Sequence, residues 1–309
     1  MLLRIGENIQ ILNKRVRDAI DNRQPGYLQQ LAKAQVAQGA HRLDLNTGPR
    51  KKDGTEAMPW LIETVHAVAP VPLSLDTINA AALEAGLRKC QELGLAAMIN
   101  STSADPDRLE AVMPLAAKYD ADVIALTMGK NLPNTADERV ELAISVIMPK
   151  AVELGIPPER IYFDPLVLTV NGCQPQAPET LNAIRFLKVV SDPAPNTIVG
   201  LSNISNSVPN ENRSLINRTF LVMLMGAGLD AAILDPLDKA QNEVIRIIEE
   251  GDAGTPVGEL LLKIHQASAA GESIDESAVD MGDPEQVAIW RTVQILENRI
   301  IYAHSYLQA

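Results

Sequence analysis

Short apolar runs alternate with longer stretches whose apolar residues recur at three- and four-residue spacing, and the alternation persists almost from end to end. The short runs read as strands over residues 2–9, 42–46, 72–76, 96–100, 123–127, 161–164, 197–202 and 231–234; their length and bounding turn residues separate them from helices. The stretch 79–93 carries the helical spacing and ends at Gly94, a C-terminal stop. Asp105-Pro106 opens the next helix with a cap followed by proline at the first helical position, and Pro157-Pro158 parts helix from strand. Alternating elements of this kind imply a parallel sheet, and eight strands close one into an α/β, (β/α)₈ TIM barrel.

Past the eighth strand the pattern changes. Asp235-Pro236 opens a helix through about residue 250, a Gly- and Pro-containing loop follows at 251–257, and an acidic segment at 271–283 precedes a final helix over roughly 284–307. The chain therefore reads as one barrel domain over 1–309 with a helical C-terminal insertion or extension at about 251–283, a solvated or dimer-facing element rather than a lid. A barrel of roughly 250 residues plus such an excursion accounts for the length.

Composition removes whole classes of function. A net charge of −12 and an aromatic content of 3% leave neither the basic footprint nor the stacking platforms of nucleic-acid binding. No run approaches about 18 uncharged apolar residues, so no membrane span is expected. The first seven residues meet charge too early for a signal sequence. Cys90 and Cys173 form no C-x-x-C and fit a reducing cytoplasm.

A barrel keeps its chemistry at the carboxyl ends of its strands. There the sequence places Asn8, Asp44, Asn46, Asp76, Asn100, Asp164, Asn203 and Asp235, the segment Thr197-Ile-Val-Gly-Leu-Ser-Asn-Ile-Ser205 being the richest strand ending. His41, His66, His265 and His304 lie away from strand ends and lack zinc-ligand spacing. No lysine ends the sixth strand for a Schiff base. Gly226-Ala-Gly-Leu-Asp-Ala231 imitates a dinucleotide fingerprint but precedes a strand, so it reads as a helix-to-strand turn. What remains is carboxylates and carboxamides. A carboxylate accepts two parallel N–H bonds from an amino-pyrimidinone edge, and a carboxamide both donates and accepts. The same residues also suit helix capping, or an Mg²⁺ site.

Ile5-Gly-Glu-Asn8, Leu43-Asp-Leu-Asn-Thr-Gly-Pro49, Leu73-Ser-Leu-Asp-Thr77, Ala97-Met-Ile-Asn-Ser-Thr102, Tyr162-Phe-Asp-Pro-Leu166, Val199-Gly-Leu-Ser-Asn-Ile-Ser205, Ser214-Leu-Ile-Asn-Arg-Thr-Phe220 and Gly228-Leu-Asp-Ala-Ala-Ile233 occur in that order. Together they resemble the methyltetrahydrofolate:corrinoid/iron-sulfur protein methyltransferases, within the pterin-binding family that also holds dihydropteroate synthases and the folate domain of methionine synthase. The resemblance covers roughly residues 1–250. It implies a pterin grip by Asp76, Asn100 and Asp164 and places Asn203 at N5, the folate nitrogen that carries the methyl group. Gly200 and Ser202 line the same strand end, with Asn206 as their neighbour. The synthases carry basic motifs near their last two strands; Ser202-Asn203-Ile204 stands there instead, which argues against synthase activity.

The implied reaction moves a methyl group between methyltetrahydrofolate or tetrahydrofolate, as substrate, and the cobalt of a corrinoid, in either direction. N5 leaves as a poor anion unless protonated, so a proton must accompany transfer. Asn203 supplies none, but its carboxamide oxygen stabilises N5–H⁺, and the proton comes from solvent through a hydrogen-bonded network. No D-x-H-x-x-G motif surrounds any histidine, so the corrinoid is carried by a partner protein that docks at the barrel mouth, and no protein-bound metal is expected. Arg50-Lys51-Lys52 is a basic patch for that partner or for the folate tail, or else a solvated loop. The resemblance also implies a homodimer, for which the apolar face of the last helix, with Val293, Ile295, Ile300 and Ile301, is a candidate surface. Two other classes stay open: a metal-dependent barrel lyase or aldolase, and a non-catalytic pterin-binding protein.

Overall fold

The protein was analysed as a computed structural model, which describes residues 1–307. Eight parallel strands close in sequence order, with β8 hydrogen-bonded back to β1. They are β1 (Leu3–Gln10), β2 (Arg42–Asn46), β3 (Leu73–Asp76), β4 (Ala97–Ser103), β5 (Asp122–Leu126), β6 (Ile161–Asp164), β7 (Asn196–Gly200) and β8 (Ala231–Leu234). The outer layer holds α1 (Lys14–Asp21), α2 (Pro25–Ala37), α3 (Gly54–His66), α4 (Ala80–Glu92), α5 (Pro106–Tyr119), α6 (Ala136–Leu142), α7 (Met148–Glu153), α8 (Val170–Cys173), α9 (Gln176–Leu187), α10 (Asn210–Ala227), α11 (Lys239–Glu250), α12 (Pro256–Ala270) and α13 (Pro284–Leu296). This is the (β/α)₈ TIM barrel that the strand pattern predicts.

Period-two alternation sorts the side chains. Leu43, Leu45, Leu73, Leu75 and Ile99 point outward into the core beneath the helices, so Asp44, Asn46, Ser74, Asp76, Met98 and Asn100 face the barrel interior. Ile5, Met98, Ile124, Ile198 and Ala231 form an apolar plug inside the barrel. The register pairs Asn46 with Asp76 and Asp76 with Asn100, which sets three polar side chains on one rung above that plug. Asp164 takes the equivalent terminal position on β6, opposite Leu126.

Several boundaries differ from the sequence expectation. β7 stops at Gly200, and Leu201–Ser205 form a 3-10 turn, so Ser202 and Asn203 project from a turn rather than a strand. α11 starts at Lys239, capped by Asp238, whose side chain accepts from the Gln241 N–H. α13 ends at Leu296 instead of continuing to residue 307, because Asn298 adopts a left-handed conformation at φ 58°. Val293 and Ile295, expected on a dimer surface, are 1% and 0% exposed inside this chain; they pack with Phe220 and Leu224 of α10. Ile300 and Ile301 lie beyond the helix and are exposed. Within 251–283, α12 buries Leu260, Leu261 and Ile264 in the same core as α10. The two helices approach so closely that a Cβ on Gly226 would meet the His265 carbonyl and come within 2.9 Å of the Ser268 Cβ. Gly228, at φ 104°, then turns α10 into β8, so the pseudo-fingerprint is a helix-to-strand turn. Among the described residues no helix is long and apolar enough to cross a membrane.

Candidate active site

The carboxyl ends of the strands enclose a cavity of about 270 Å³ lined by Glu7, Gln10, Asp44, Asn46, Asp76, Asn100, Ser101, Leu126, Asp164, Gly200, Ser202, Asn203 and Ile233. The volume lies near the lower end of small-molecule sites, roughly 300 Å³. Its floor is the rung set by β2, β3 and β4. Asp44 is buried there and accepts from the Ser74 hydroxyl at 2.6 Å and the Asn100 amide at 3.0 Å, both on Oδ1. Asn46 donates to Asp76 Oδ2 and accepts the Gly48 N–H at 3.0 Å. Burial raises the Asp44 carboxyl above the ordinary range and the charge of Asp76 adds to it, because two anions this close oppose each other's ionisation. Burial likewise raises Asp76, against the Asn46 hydrogen bond and the nearby Arg108 charge.

Two arginines outside the lining brace this end of the barrel. Arg108 of α5 donates to the carbonyls of Ser101 at 2.9 Å, Ile78 at 2.9 Å and Thr77 at 3.0 Å, tying the β3 and β4 loops together beside Asp76. Arg139 of α6 is fully buried and donates to Thr180 Oγ1 at 3.1 Å and to Gln176. Thr180 in turn donates to the Leu166 carbonyl at 2.8 Å, and the Leu166 N–H donates to Asp164 Oδ1 at 2.8 Å. Burial pushes Asp164 up to about 6, opposed by that N–H and by the Arg139 charge.

On the far wall Ser202 Oγ donates to Glu7 Oε1 at 2.6 Å. Burial pushes the Glu7 carboxyl up to about 7; the Ser202 bond and Arg213 oppose the shift, and Asp235 adds to it. Asn203 sits over Gly200, where an added Cβ would come 3.0 Å from the Asn203 amide nitrogen. Asn206 donates to Asn203 Oδ1 at 3.2 Å.

The structure thus gathers Asp76, Asn100, Asp164, Gly200, Ser202 and Asn203 around one cavity, with Asp44 and Asn46. Asn206 stands outside the lining, behind Asn203. Asn8 and Asp235 are also outside it and bond to each other at 3.0 Å. The capping alternative falls elsewhere: Asn79, Asp105 and Asp238 cap the helices after β3, β4 and β8. Glu7 escapes the sequence reading although Ile5 faces the interior and residue 7 shares its face. Gln10 is hidden by the register shift between Gly6 and Ile9. Of the basic patch after β2, Arg50 is tied to Asp21 and Asp53, while Lys51 and Lys52 are exposed.

Fold and cavity together define a TIM barrel with a polar cavity at the carboxyl face, where such barrels carry their active sites. A model of the pterin-binding enzyme family matches residues 13–235, and the chain belongs to that family. It is 27% identical over 240 residues to the methylcorrinoid:tetrahydrofolate methyltransferase of Eubacterium limosum, covering 76% of this chain and 85% of that protein. It is 30% identical over 275 residues to methionine synthase of Mycobacterium tuberculosis, covering 82% of this chain but 23% of that longer protein. Among solved structures, the dihydropteroate synthase of Xanthomonas albilineans in complex with 7,8-dihydropteroate superposes with a TM-score of 0.56 at 16% identity, over 82% of this chain and 94% of that one. The dihydropteroate synthase of Thermus thermophilus gives 0.56 at 16%, over 81% and 92%. At such identities these two speak for the fold.

Proposed function

We propose that this protein moves a methyl group between N5 of tetrahydrofolate and the cobalt of a corrinoid carried by a partner protein. One observation carries the reading: the cavity combines buried carboxylates and carboxamides at strands β2, β3, β4 and β6 with Asn203 on the β7 turn, and among the described residues no lysine or arginine lines it. A synthase that expels pyrophosphate requires cationic side chains at the leaving group; methyl transfer, which expels no polyanion, does not. The match to the Eubacterium limosum methyltransferase over most of both chains supports the same reading, and its name favours methylcorrinoid as donor.

In this reading Asp76 and Asp164 accept the N–H groups of the amino-pyrimidinone, and Asn100, held by Asp44, completes the edge. Ligand donors favour the ionised form of carboxyls whose ionisation burial opposes. Asn203 turns its carboxamide oxygen to N5–H⁺ and stabilises charge at the reacting nitrogen. The corrinoid is a substrate and supplies the cobalt electron pair that takes up the methyl carbon; no residue of the chain is covalently modified.

The test is the absorbance of cob(I)alamin mixed anaerobically with the protein, methyltetrahydrofolate and a chelator. Conversion to methylcobalamin is the expected outcome. No conversion, with folate binding intact by calorimetry and with the native corrinoid protein also left unmethylated, would leave a binding protein; conversion that the chelator abolishes would point to the metal-dependent alternative.

A further inference from the structure

Methyl transfer at N5 needs a proton, and the carboxamide of Asn203 has none to give. The cavity holds four carboxyls, and three are committed elsewhere. Asp44 accepts from Ser74 and Asn100 and sits in the layer behind Asn100. Asp76 is held by Asn46 beside the Arg108 charge, and Asp164 by the Leu166 N–H beside the Arg139 charge. N–H donors and cations favour a carboxylate, which suits those residues to gripping the ligand edge rather than to giving up protons. Glu7 differs in its donor. Among the described residues its carboxyl accepts no N–H, and its one side-chain hydrogen bond comes from the hydroxyl of Ser202, on the same turn as Asn203, and arrives on Oε1. Oε2, on the same wall as Asn203, has no protein partner among the described residues while the side chain lines the cavity.

We propose that Glu7 is the acid–base residue of the site, giving a proton from Oε2 to N5 when the methyl group leaves folate and taking it back when the methyl group arrives, with Ser202 fixing the carboxyl. The assignment rests on the methyl-transfer reading above. In the forward sense the O–H bond of Glu7 breaks and an N5–H bond forms. The methyl carbon then departs, its C–N bonding pair stays on N5 as the lone pair of a secondary amine, and cobalt(I) of the corrinoid substrate provides the pair of the new bond, becoming cobalt(III). Glu7 is left as a carboxylate and regains its proton from water. The reverse reaction deprotonates the N5-methyl ammonium into the same carboxylate.

The charges that face Glu7 set its balance. Asp235 from the loop after β8 disfavours the carboxylate, Arg213 of α10 favours it, and Asp44 of β2 interacts with it across the floor. Burial dominates and brings the carboxyl to about 7, where an acid–base residue is most effective near neutral pH.

The experiment compares wild type, Glu7→Gln and Ser202→Ala in methyl transfer from methyltetrahydrofolate to cob(I)alamin across pH 5.5–8.5, with folate affinity measured by calorimetry. Glu7→Gln is expected to lose about 100-fold or more in rate, within the ordinary range for a lost general acid, to keep folate affinity within about 3-fold, and to lose the limb near pH 7. Ser202→Ala keeps the carboxyl but removes the bond that favours its ionised form, so its limb should move to higher pH; a merely structural Ser202 would leave the limb in place. A wild-type rate in Glu7→Gln, an equal loss of binding and rate, or an unmoved limb in Ser202→Ala would overturn the assignment while leaving methyl transfer standing. A wild-type protein that binds no methyltetrahydrofolate would overturn both.

Discussion

Raising the pH should destabilise the folate-free protein, and the cavity carboxyls set the size of the effect. The folded state holds Glu7 at about 7 against an ordinary 4.5, and Asp164 at about 6 against 3.8. Between those limits the folded chain binds protons that the unfolded chain has released, so stability is fully present below about pH 4 and is lost as the pH rises to 7. At about 1.4 kcal/mol per pH unit each residue contributes about 3 kcal/mol. With an unfolding entropy of about 2.1 cal/mol/K per residue, the pair shifts Tm by at most about 9 °C, since water in the open cavity screens the charges. His41 and His265, pulled down by burial, act in the opposite sense below pH 6.5. The assay is therefore a difference: calorimetric Tm at pH 5 and pH 8 for wild type and for the Glu7→Gln, Asp164→Asn double variant, whose amides do not titrate. Wild type should lose several degrees more than the variant. Equal slopes would show that neither carboxyl is held protonated by the fold, and would refute the electrostatic picture of the site.

Replacing Asn203 by alanine should slow methyl transfer about 100-fold, the usual loss for one oriented donor or acceptor at a reacting centre, with folate affinity falling only a few-fold by calorimetry; equal losses would contradict the N5 role. In Gly200→Ala the new Cβ, 3.0 Å from the Asn203 amide, pushes that carboxamide aside by a few tenths of an ångström; steady-state kinetics should show about 10-fold lower kcat with unchanged Tm, as small displacements are costly to chemistry. Ile264→Ala removes a buried side chain of α12 from the core shared with α10 and should cost about 2–5 kcal/mol by denaturant unfolding; a loss below about 0.5 kcal/mol would show that 256–270 is a peripheral element.

Three strands, 42–46, 161–164 and 231–234, coincide with the pattern read from sequence, because each is a short apolar run flanked by turn or polar residues. β7 does not, since Leu201 and Ile204 continue an apolar rhythm while the backbone has already turned. The last helix is shorter than its pattern for a related reason: Tyr302 and Tyr306 fall at helical spacing, but the Tyr302 N–H is held at 2.7 Å by Gln174, a long-range contact without local signature. Asp76 and Asn100 are legible because strand ends of equal register share a rung. Arg108 and Arg139 are not, since each acts through backbone carbonyls or a buried hydroxyl that only the folded packing supplies.

The arrangement also explains why so much carboxyl can be buried in one place. An apolar plug of Ile5, Met98, Ile124, Ile198 and Ala231 closes the cavity from below, so the ionised form of each carboxyl is disfavoured unless donors are attached. The charges of Asp76 and Glu7 both raise the proton affinity of Asp44. Ionising one member therefore favours protonation of the rest. A ligand edge rich in N–H donors draws negative charge to Asp76, and the charge of Asp76 then holds the proton on its neighbour Asp44. In the methyl-transfer reading, binding the pterin therefore redistributes protons within the cavity. The proton exchange that accompanies folate binding, seen as a buffer-dependent binding enthalpy near pH 7, should change in Glu7→Gln, which cannot titrate; an unchanged exchange would show that Glu7 takes no part in it.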